Sequence, residues 1–211
     1  MKYLITVLLA IILIAGGYMA LSGSGDSVTT TSTQYTESQV KSHITPTSRS
    51  VEDCLKSILG DPPYQLSQDG FGLIRDWVAY NIDYVADEEQ WGVNDYWQTP
   101  EETLSLRTGD CEDFAILLCT LLRAYGINDN QVYVALGVDA EGYGHAFLIE
   151  NWYIEGQWRA IEPQAPTKVL PGRRKFNLVD INLDEYEIFT AFNDTYYYDD
   201  SYPWDTQVIF E

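Results

Sequence analysis

The chain is poor in positive charge, histidine and cysteine. It has 12 lysines and arginines against 32 acidic residues, so its formal net charge is -20. A surface of this sign repels a phosphate backbone, which excludes nucleic acid as an expected partner. Three cysteines in 211 residues are too few for a small disulfide-rich scaffold. The chain is long enough to bury a hydrophobic core, and it shows no internal repeat.

Basic residues are also scarce at the N terminus, where Lys2 precedes an uncharged and mostly apolar run over residues 3–21. This run has the length of a bilayer span and predicts a transmembrane signal-anchor at residues 1–21. With Lys2 inside, the rest of the chain lies outside the cytoplasm. A cleavable signal peptide is the alternative, because residues 20–22 offer a small-residue cleavage site, and the protein would then be secreted.

The segment that follows is almost without apolar residues. Residues 22–50 are rich in Ser and Thr, which predicts a disordered linker that holds a folded domain away from the membrane. We expect that domain to occupy residues 51–211. Its last part, residues 176–211, is an acidic and tyrosine-rich C-terminal extension.

Helical periodicity dominates the first half of the domain. It predicts helices at residues 51–59 and 71–85, and a third that begins with Thr99 as its cap. Residues 87–100 show neither helical nor strand periodicity and are rich in aromatic side chains. This segment is either an ordered loop near a functional site or a hydrophobic lid over the core.

The central helix is the most distinctive element. Asp110 is a good N-cap, Gly126 a good C-terminal stop, and residues 114–122 are apolar almost all round, as in a helix buried within a domain. Cys111 opens this helix, where the helix dipole and free N–H groups stabilise a thiolate. The alternative is a small structural residue at a helix start.

Strand periodicity follows the central helix. Residues 131–138, 145–154 and 157–161 predict three strands, the last two joined by a tight turn at residues 155–156. Residues 187–192 predict an edge strand. Helices followed by an antiparallel sheet indicate an α+β domain with the central helix packed on the sheet.

Three residues suited to thiol chemistry fall at the ends of these elements. Cys111 begins the helix, His145 begins one strand, and Glu162 ends its hairpin partner. In a Cys-His-acid triad the imidazole takes the thiol proton and the acid orients the ring. The chain has only two histidines, and the other, His43, lies in the predicted linker. A structural hydrogen bond is the alternative role for His145.

The motifs around these residues resemble the transglutaminase-like superfamily, whose fold is papain-like. In the order of the family they are Gly109–Ala115, Gly144–Phe147 and Trp158–Pro163. The resemblance covers a core at residues 71–163. Trp91–Leu104, ahead of the first motif, is most similar to exported bacterial transglutaminase-like cysteine proteases, which clip surface proteins and depend on calcium.

The resemblance implies roles for individual residues. Cys111 would be the nucleophile, His145 the base and Glu162 the orienting acid, although the family usually has Asp at the third position. The backbone N–H of Cys111 is an expected oxyanion donor because it lies at a helix start. By analogy with related thiol proteases, Trp97 or Gln98 would add a side-chain donor; simple packing of Trp97 is the alternative.

Three acids flank the thiol and oppose its ionisation. Asp110, Glu112 and Asp113 disfavour a thiolate at Cys111, and a bound calcium ion would neutralise them. The resemblance also implies calcium and no organic cofactor. Ordinary capping of a helix start is the alternative role for these acids.

The sequence therefore predicts a thiol enzyme that hydrolyses amides in a protein or peptide substrate at the cell surface. Acyl transfer and a non-catalytic binding module on the same fold are the alternatives. Cys54 and Cys119 lie on apolar helical faces, where they either form a disulfide or are core thiols.

Overall fold

The computed structural model describes residues 35–154, 157–164, 180–181 and 183–199. The predicted signal-anchor at residues 1–21 lies outside these ranges. None of the helices in the described part of the chain combines the length and the hydropathy that a bilayer span requires.

Helices make up the first half of the domain and strands the second. The helices are α1 (Glu37–Ser42), α2 (Arg49–Leu59), α3 (Gln68–Asn81), α4 (Asp87–Gln90), α5 (Pro100–Leu106) and α6 (Cys111–Tyr125). The strands are β1 (Asp83–Tyr84), β2 (Thr108–Gly109), β3 (Val132–Asp139), β4 (Gly144–Glu150), β5 (Arg159–Ile161), β6 (Asp180–Ile181), β7 (Tyr186–Phe192) and β8 (Tyr197–Asp199). This mixed architecture agrees with the predicted α+β class.

The central helix α6 is buried along nearly its whole length. It packs on strands β3 and β4 on one side and on helices α2, α3 and α5 on the other. Its ends are those that the sequence predicts, because Asp110 is the N-cap and Gly126 adopts the left-handed conformation at the C-cap. Cys54 and Cys119 are both buried and free, so they are core thiols and not a disulfide.

The main sheet is antiparallel, with strand order β6-β5-β4-β3-β7-β8. Two of the strand predictions were wrong in detail. The strand at residues 186–192 is internal, because β3 pairs with one of its sides and β8 with the other. The β4–β5 loop is longer than a tight turn, since Glu150 pairs with Arg159; the predicted turn residues 155–156 lie outside the described chain.

The segment before residue 50 differs from the predicted disordered linker. Residues 37–42 form helix α1, and the ring of Tyr35 stacks on Trp97 with 4.7 Å between the ring centroids. Val40 and Ile44 are buried in the main core. Few apolar residues are enough to order this segment because they dock on a domain that is already folded.

Candidate active site

A two-stranded parallel pair delivers the chain to the start of the central helix. Strand β1 pairs with β2 so that Tyr84 lies opposite Gly109, two residues before Cys111. A side chain at position 109 would collide with the neighbouring residues, because a Cβ there would lie 2.6 Å from the Cβ of Asp113. The backbone therefore passes close to the first turn of α6, where Cys111 is 8% exposed.

The thiol of Cys111 has two polar neighbours. Its Sγ lies 3.2 Å from Oε2 of Glu112, and the backbone N–H of Ala146 donates a hydrogen bond to it. Burial raises the pKa of Cys111 well above its ordinary value, and the negative charges of Glu112 and Asp110 raise it further, against the Ala146 N–H. In this arrangement the thiol is protonated at neutral pH.

His145 and Glu162 form a close pair. Nε2 of His145 lies 2.8 Å from Oε2 of Glu162, and the backbone N–H of Gln164 donates to Oε1 of Glu162 at 2.9 Å. Because β4 and β5 are antiparallel neighbours, the start of β4 and the end of β5 lie at the same edge of the sheet, meaning the edge formed by the strand ends. The extra methylene of Glu162, compared with Asp, does not prevent contact with the imidazole.

The structure brings the thiol to the same edge of the sheet. Ala146, whose N–H contacts the sulfur of Cys111, is the residue after His145. Within the described residues, the side-chain hydrogen bond of Cys111 goes to Glu112, and that of His145 goes to Glu162. The thiol thus contacts the backbone of the residue next to His145, which places the two halves of the predicted triad near one another.

An acidic cluster surrounds the first turn of α6. It contains the three predicted acids, and two acids from the preceding aromatic-rich segment complete it: Asp87, Asp95, Asp110, Glu112 and Asp113. Asp87, Asp110 and Asp113 each offer an atom within 4.8 Å of the others, and so do Asp87, Asp95 and Glu112. The sequence analysis did not identify Asp87 and Asp95 as candidate ligands. Both lie in the segment without helical or strand periodicity, which was already a candidate for a loop near a functional site.

The cluster has the properties of a cation site. Asp110 and Glu112 each have one buried carboxylate oxygen with no hydrogen-bond partner in the described chain. Burial, followed by the charge of Asp110, raises the pKa of Asp87 to about 7 and that of Asp113 to about 8, and the pKa of Glu112 is raised as well. The salt bridges among the described residues give these five acids no basic partner. Hard oxygen ligands of this kind fit a hard cation such as calcium.

The predicted side-chain oxyanion donors are engaged elsewhere. The indole N–H of Trp97 donates to Asp95, and Nε2 of Gln98 donates to Asp113 and to the carbonyl of Thr108. The backbone N–H of Gln98 also donates to Asp113, at 2.7 Å. We assign neither residue an oxyanion role, because their donors hold the acidic cluster in place.

Comparison with known proteins identifies a family that matches this chain. Residues 33–152, more than half of the chain, match the family described as bacterial transglutaminase-like cysteine proteinase, BTLCP. The matched range includes Cys111 and His145 and ends before Glu162.

The fold is also found in solved structures. Calcium-bound LapG of Legionella pneumophila is 17% identical, with a TM-score of 0.50, over 71% of this chain and 76% of that one. EGTA-treated LapG is 17% identical, with a TM-score of 0.49, over 74% and 75% of the two chains. At this identity the likeness concerns the fold alone.

A shorter similarity links the chain to a larger protein. The chain is 40% identical to the centrosomal protein of 76 kDa from Homo sapiens over 58 residues. These residues are 28% of this chain. The chain spans 8% of the length of that protein. The match to the family, in contrast, covers the helix with the thiol and the strand with the histidine. The chain therefore belongs to the bacterial transglutaminase-like cysteine proteinases.

Proposed function

We propose that the protein is a membrane-anchored cysteine protease that acts outside the cytoplasm through a triad of Cys111, His145 and Glu162. The observation that carries the proposal is the 2.8 Å contact between His145 and Glu162 at the sheet edge beside the thiol. The carboxylate holds Nε2 of the imidazole, which leaves Nδ1 as the nitrogen that takes the thiol proton. The acid is Glu where the family usually has Asp.

The chemistry is peptide-bond hydrolysis in two stages. His145 takes the proton of Cys111, and the thiolate adds to the carbonyl carbon of the substrate. The backbone N–H of Cys111 stabilises the oxyanion. The imidazolium then gives its proton to the leaving amine, which breaks the C–N bond and leaves a thioester. Water, deprotonated by His145, hydrolyses the thioester and restores the thiol.

The negative charges of Glu112 and Asp110 raise the pKa of the thiol beyond the effect of its burial, so neutralising them would favour ionisation. We propose that Asp87, Asp95, Asp110, Glu112 and Asp113 supply the ligands of a calcium ion. The unpartnered carboxylate oxygens of Asp110 and Glu112, and the short distances within the groups Asp87, Asp110, Asp113 and Asp87, Asp95, Glu112, favour this. Bound calcium would offset the negative charge that raises the pKa of the thiol. The capping contacts within this cluster would remain.

The rate of alkylation of Cys111 by iodoacetamide tests the triad and the cation together. We expect Cys111 to react faster in excess calcium than in EGTA, with its pH profile displaced to lower pH. Cys119, which is buried in the middle of α6, is the internal control and should react slowly in both conditions. Equal profiles for Cys111 in the two conditions would reject the cation, and equal slow rates for both cysteines would reject Cys111 as the nucleophile.

The proposed substrate is a protein or peptide at the cell surface. Cells that express the wild-type protein should release or shorten surface proteins that remain intact in cells with Cys111→Ala. The membrane anchor rests on the apolar run at residues 3–21. Fractionation of the full-length protein should therefore place it with the membrane, and recovery in the soluble fraction alone would contradict the anchor.

A further inference from the structure

Glu162 is held through its backbone as well as through its side chain. Nε and Nη2 of Arg75 both donate to the carbonyl oxygen of Glu162, at 3.0 and 2.9 Å. Arg75 lies on α3, far from Glu162 in the sequence. The guanidinium thus ties a helix of the first half of the domain to the end of strand β5.

The guanidinium is itself fixed on its other side. Arg75 is fully buried, and its Nη1 donates to Oδ1 of Asp76 at 2.8 Å. A buried charge is costly unless it is paired and hydrogen-bonded, and Asp76 supplies the opposite charge. Two parallel N–H groups of one planar group bind a single carbonyl in a fixed direction, which the ammonium of lysine cannot reproduce.

We infer that Arg75 is a positioning residue for the acid of the triad. Glu has one more rotatable bond than Asp, so its carboxylate reaches a defined place only if its other attachments are fixed. Arg75 fixes the carbonyl of Glu162, and the Gln164 N–H fixes Oε1, which directs Oε2 at His145. The inference rests on the proposed function, because it requires Glu162 to orient His145.

A double-mutant cycle in the full-length protein separates positioning from general stability. The variants are Arg75→Lys, Glu162→Gln and their combination. The readout is the pH profile of Cys111 alkylation by iodoacetamide in excess calcium, with thermal melting as a check of folding. Arg123→Lys is the matched control, since Arg123 is a partly buried arginine with two bonds to Asp194, at the opposite end of α6 from the thiol.

Arg75→Lys should slow alkylation at neutral pH about tenfold, the cost of a misplaced catalytic group. Glu162→Gln should slow it at least as much, and the combined variant should react at the rate of Glu162→Gln alone. Arg123→Lys should lower the melting temperature without displacing the pH profile. An unchanged profile for Arg75→Lys, or two effects that multiply in the combined variant, would overturn the inference.

The outcomes also distinguish this inference from the triad on which it rests. If Glu162→Gln leaves the profile unchanged, the triad and the inference both fail. If Glu162→Gln slows alkylation and Arg75→Lys does not, only the inference fails.

A variant that leaves Arg75 in place covers the case in which Arg75→Lys does not fold. Asp76→Asn removes the charge that holds the guanidinium, and it should cause a smaller loss in the same direction. That loss should disappear in the Glu162→Gln background. A profile like that of the wild type, or a loss that persists in this background, would overturn the inference.

Discussion

Cys111 is subject to opposing influences. The helix start and the Ala146 N–H stabilise a thiolate, whereas burial and the carboxylates of Glu112 and Asp110 oppose it. Burial and the two carboxylates have the larger effect in the described arrangement, because the pKa of the thiol is raised. In the proposed mechanism, neutralising the two carboxylates would remove one of the causes of the raised pKa, while burial, the largest cause, would remain.

Gly109 packs directly against a member of the acidic cluster. In Gly109→Ala the new Cβ would lie 2.6 Å from the Cβ of Asp113 and 2.9 Å from Nε2 of Gln98, so both residues must move. We expect the free energy of unfolding to fall by about 1–3 kcal/mol, as in other overpacked sites. Urea denaturation measures this change.

Thr108→Ala is the control for that substitution. Thr108 is the preceding residue, and its contact with Gln98 is made by its backbone carbonyl, which the substitution keeps. Its cost should be well below about 1 kcal/mol. Equal denaturation midpoints for Gly109→Ala and the wild type would show that the first turn of α6 tolerates a side chain here.

At the scale of elements, the segment that contains α1 belongs to the folded domain. The rings of Tyr35 and Phe192 stack on Trp97 with centroid distances of 4.7 and 5.6 Å, and the hydroxyl of Tyr35 accepts the backbone N–H of Trp97. Trp97 precedes Gln98, which binds Asp113. The N-terminal segment is thus linked by contacts to the start of α6.

Tyr35→Ala tests this link. It removes a stacked ring and a hydrogen-bond acceptor, so the free energy of unfolding should fall by about 1–3 kcal/mol. Thermal melting of the full-length protein measures the change. Tyr143→Ala is the control, because Tyr143 is an exposed tyrosine between β3 and β4 whose hydrogen bonds with Asp139 are made by its backbone. Equal effects of the two substitutions would mean that the stack around Trp97 does not stabilise the domain.

At the scale of the whole molecule, the excess of negative charge includes a buried part. Among the acids whose burial the structure describes, Asp87, Asp110, Glu112 and Asp113 are buried around one helix start. Buried carboxylates that remain ionised destabilise the folded state. Calcium binding would therefore act on the stability of the domain as well as on the thiol.

The pH dependence of stability follows from the pKa of two of these acids. The pKa of Asp87 is raised to about 7 and that of Asp113 to about 8, from 3.8. At pH values between 3.8 and the raised pKa of each acid, the folded state binds more protons than the unfolded state. The free energy of unfolding therefore falls as pH rises through this range. The melting temperature in EGTA should decrease from mildly acidic pH to pH values near 8.

Calcium should remove most of this decrease, because it stabilises the ionised carboxylates. Asp87→Asn is the matched variant: it cannot ionise, so its melting temperature in EGTA should depend less on pH. A melting temperature that rises with pH in EGTA, or the same slope with and without calcium, would contradict the account of the cluster.

The local elements were predictable because their signals are local. Thr99 caps α5, and α6 is limited by Asp110 and Gly126, as predicted. The strand predicted at residues 131–138 is found at Val132–Asp139 and pairs with β4, although its first six residues are all buried. The end of α3 was predicted too late, at residue 85 in place of Asn81, because apolar residues continue past the last helical turn.

By itself, the sequence determined the α+β class, the buried helix that begins with Cys111, and the order in which Cys111, His145 and Glu162 follow one another. Helix-capping residues and the periodicity of apolar residues are local signals, so a few neighbouring residues are enough to indicate helices and strands. Only the tertiary structure decided which distant side chains meet there. It places Asp87 beside the acids at the start of α6, and it places the guanidinium of Arg75 against the backbone carbonyl of Glu162. Such contacts join residues from separate elements, and no local pattern specifies them.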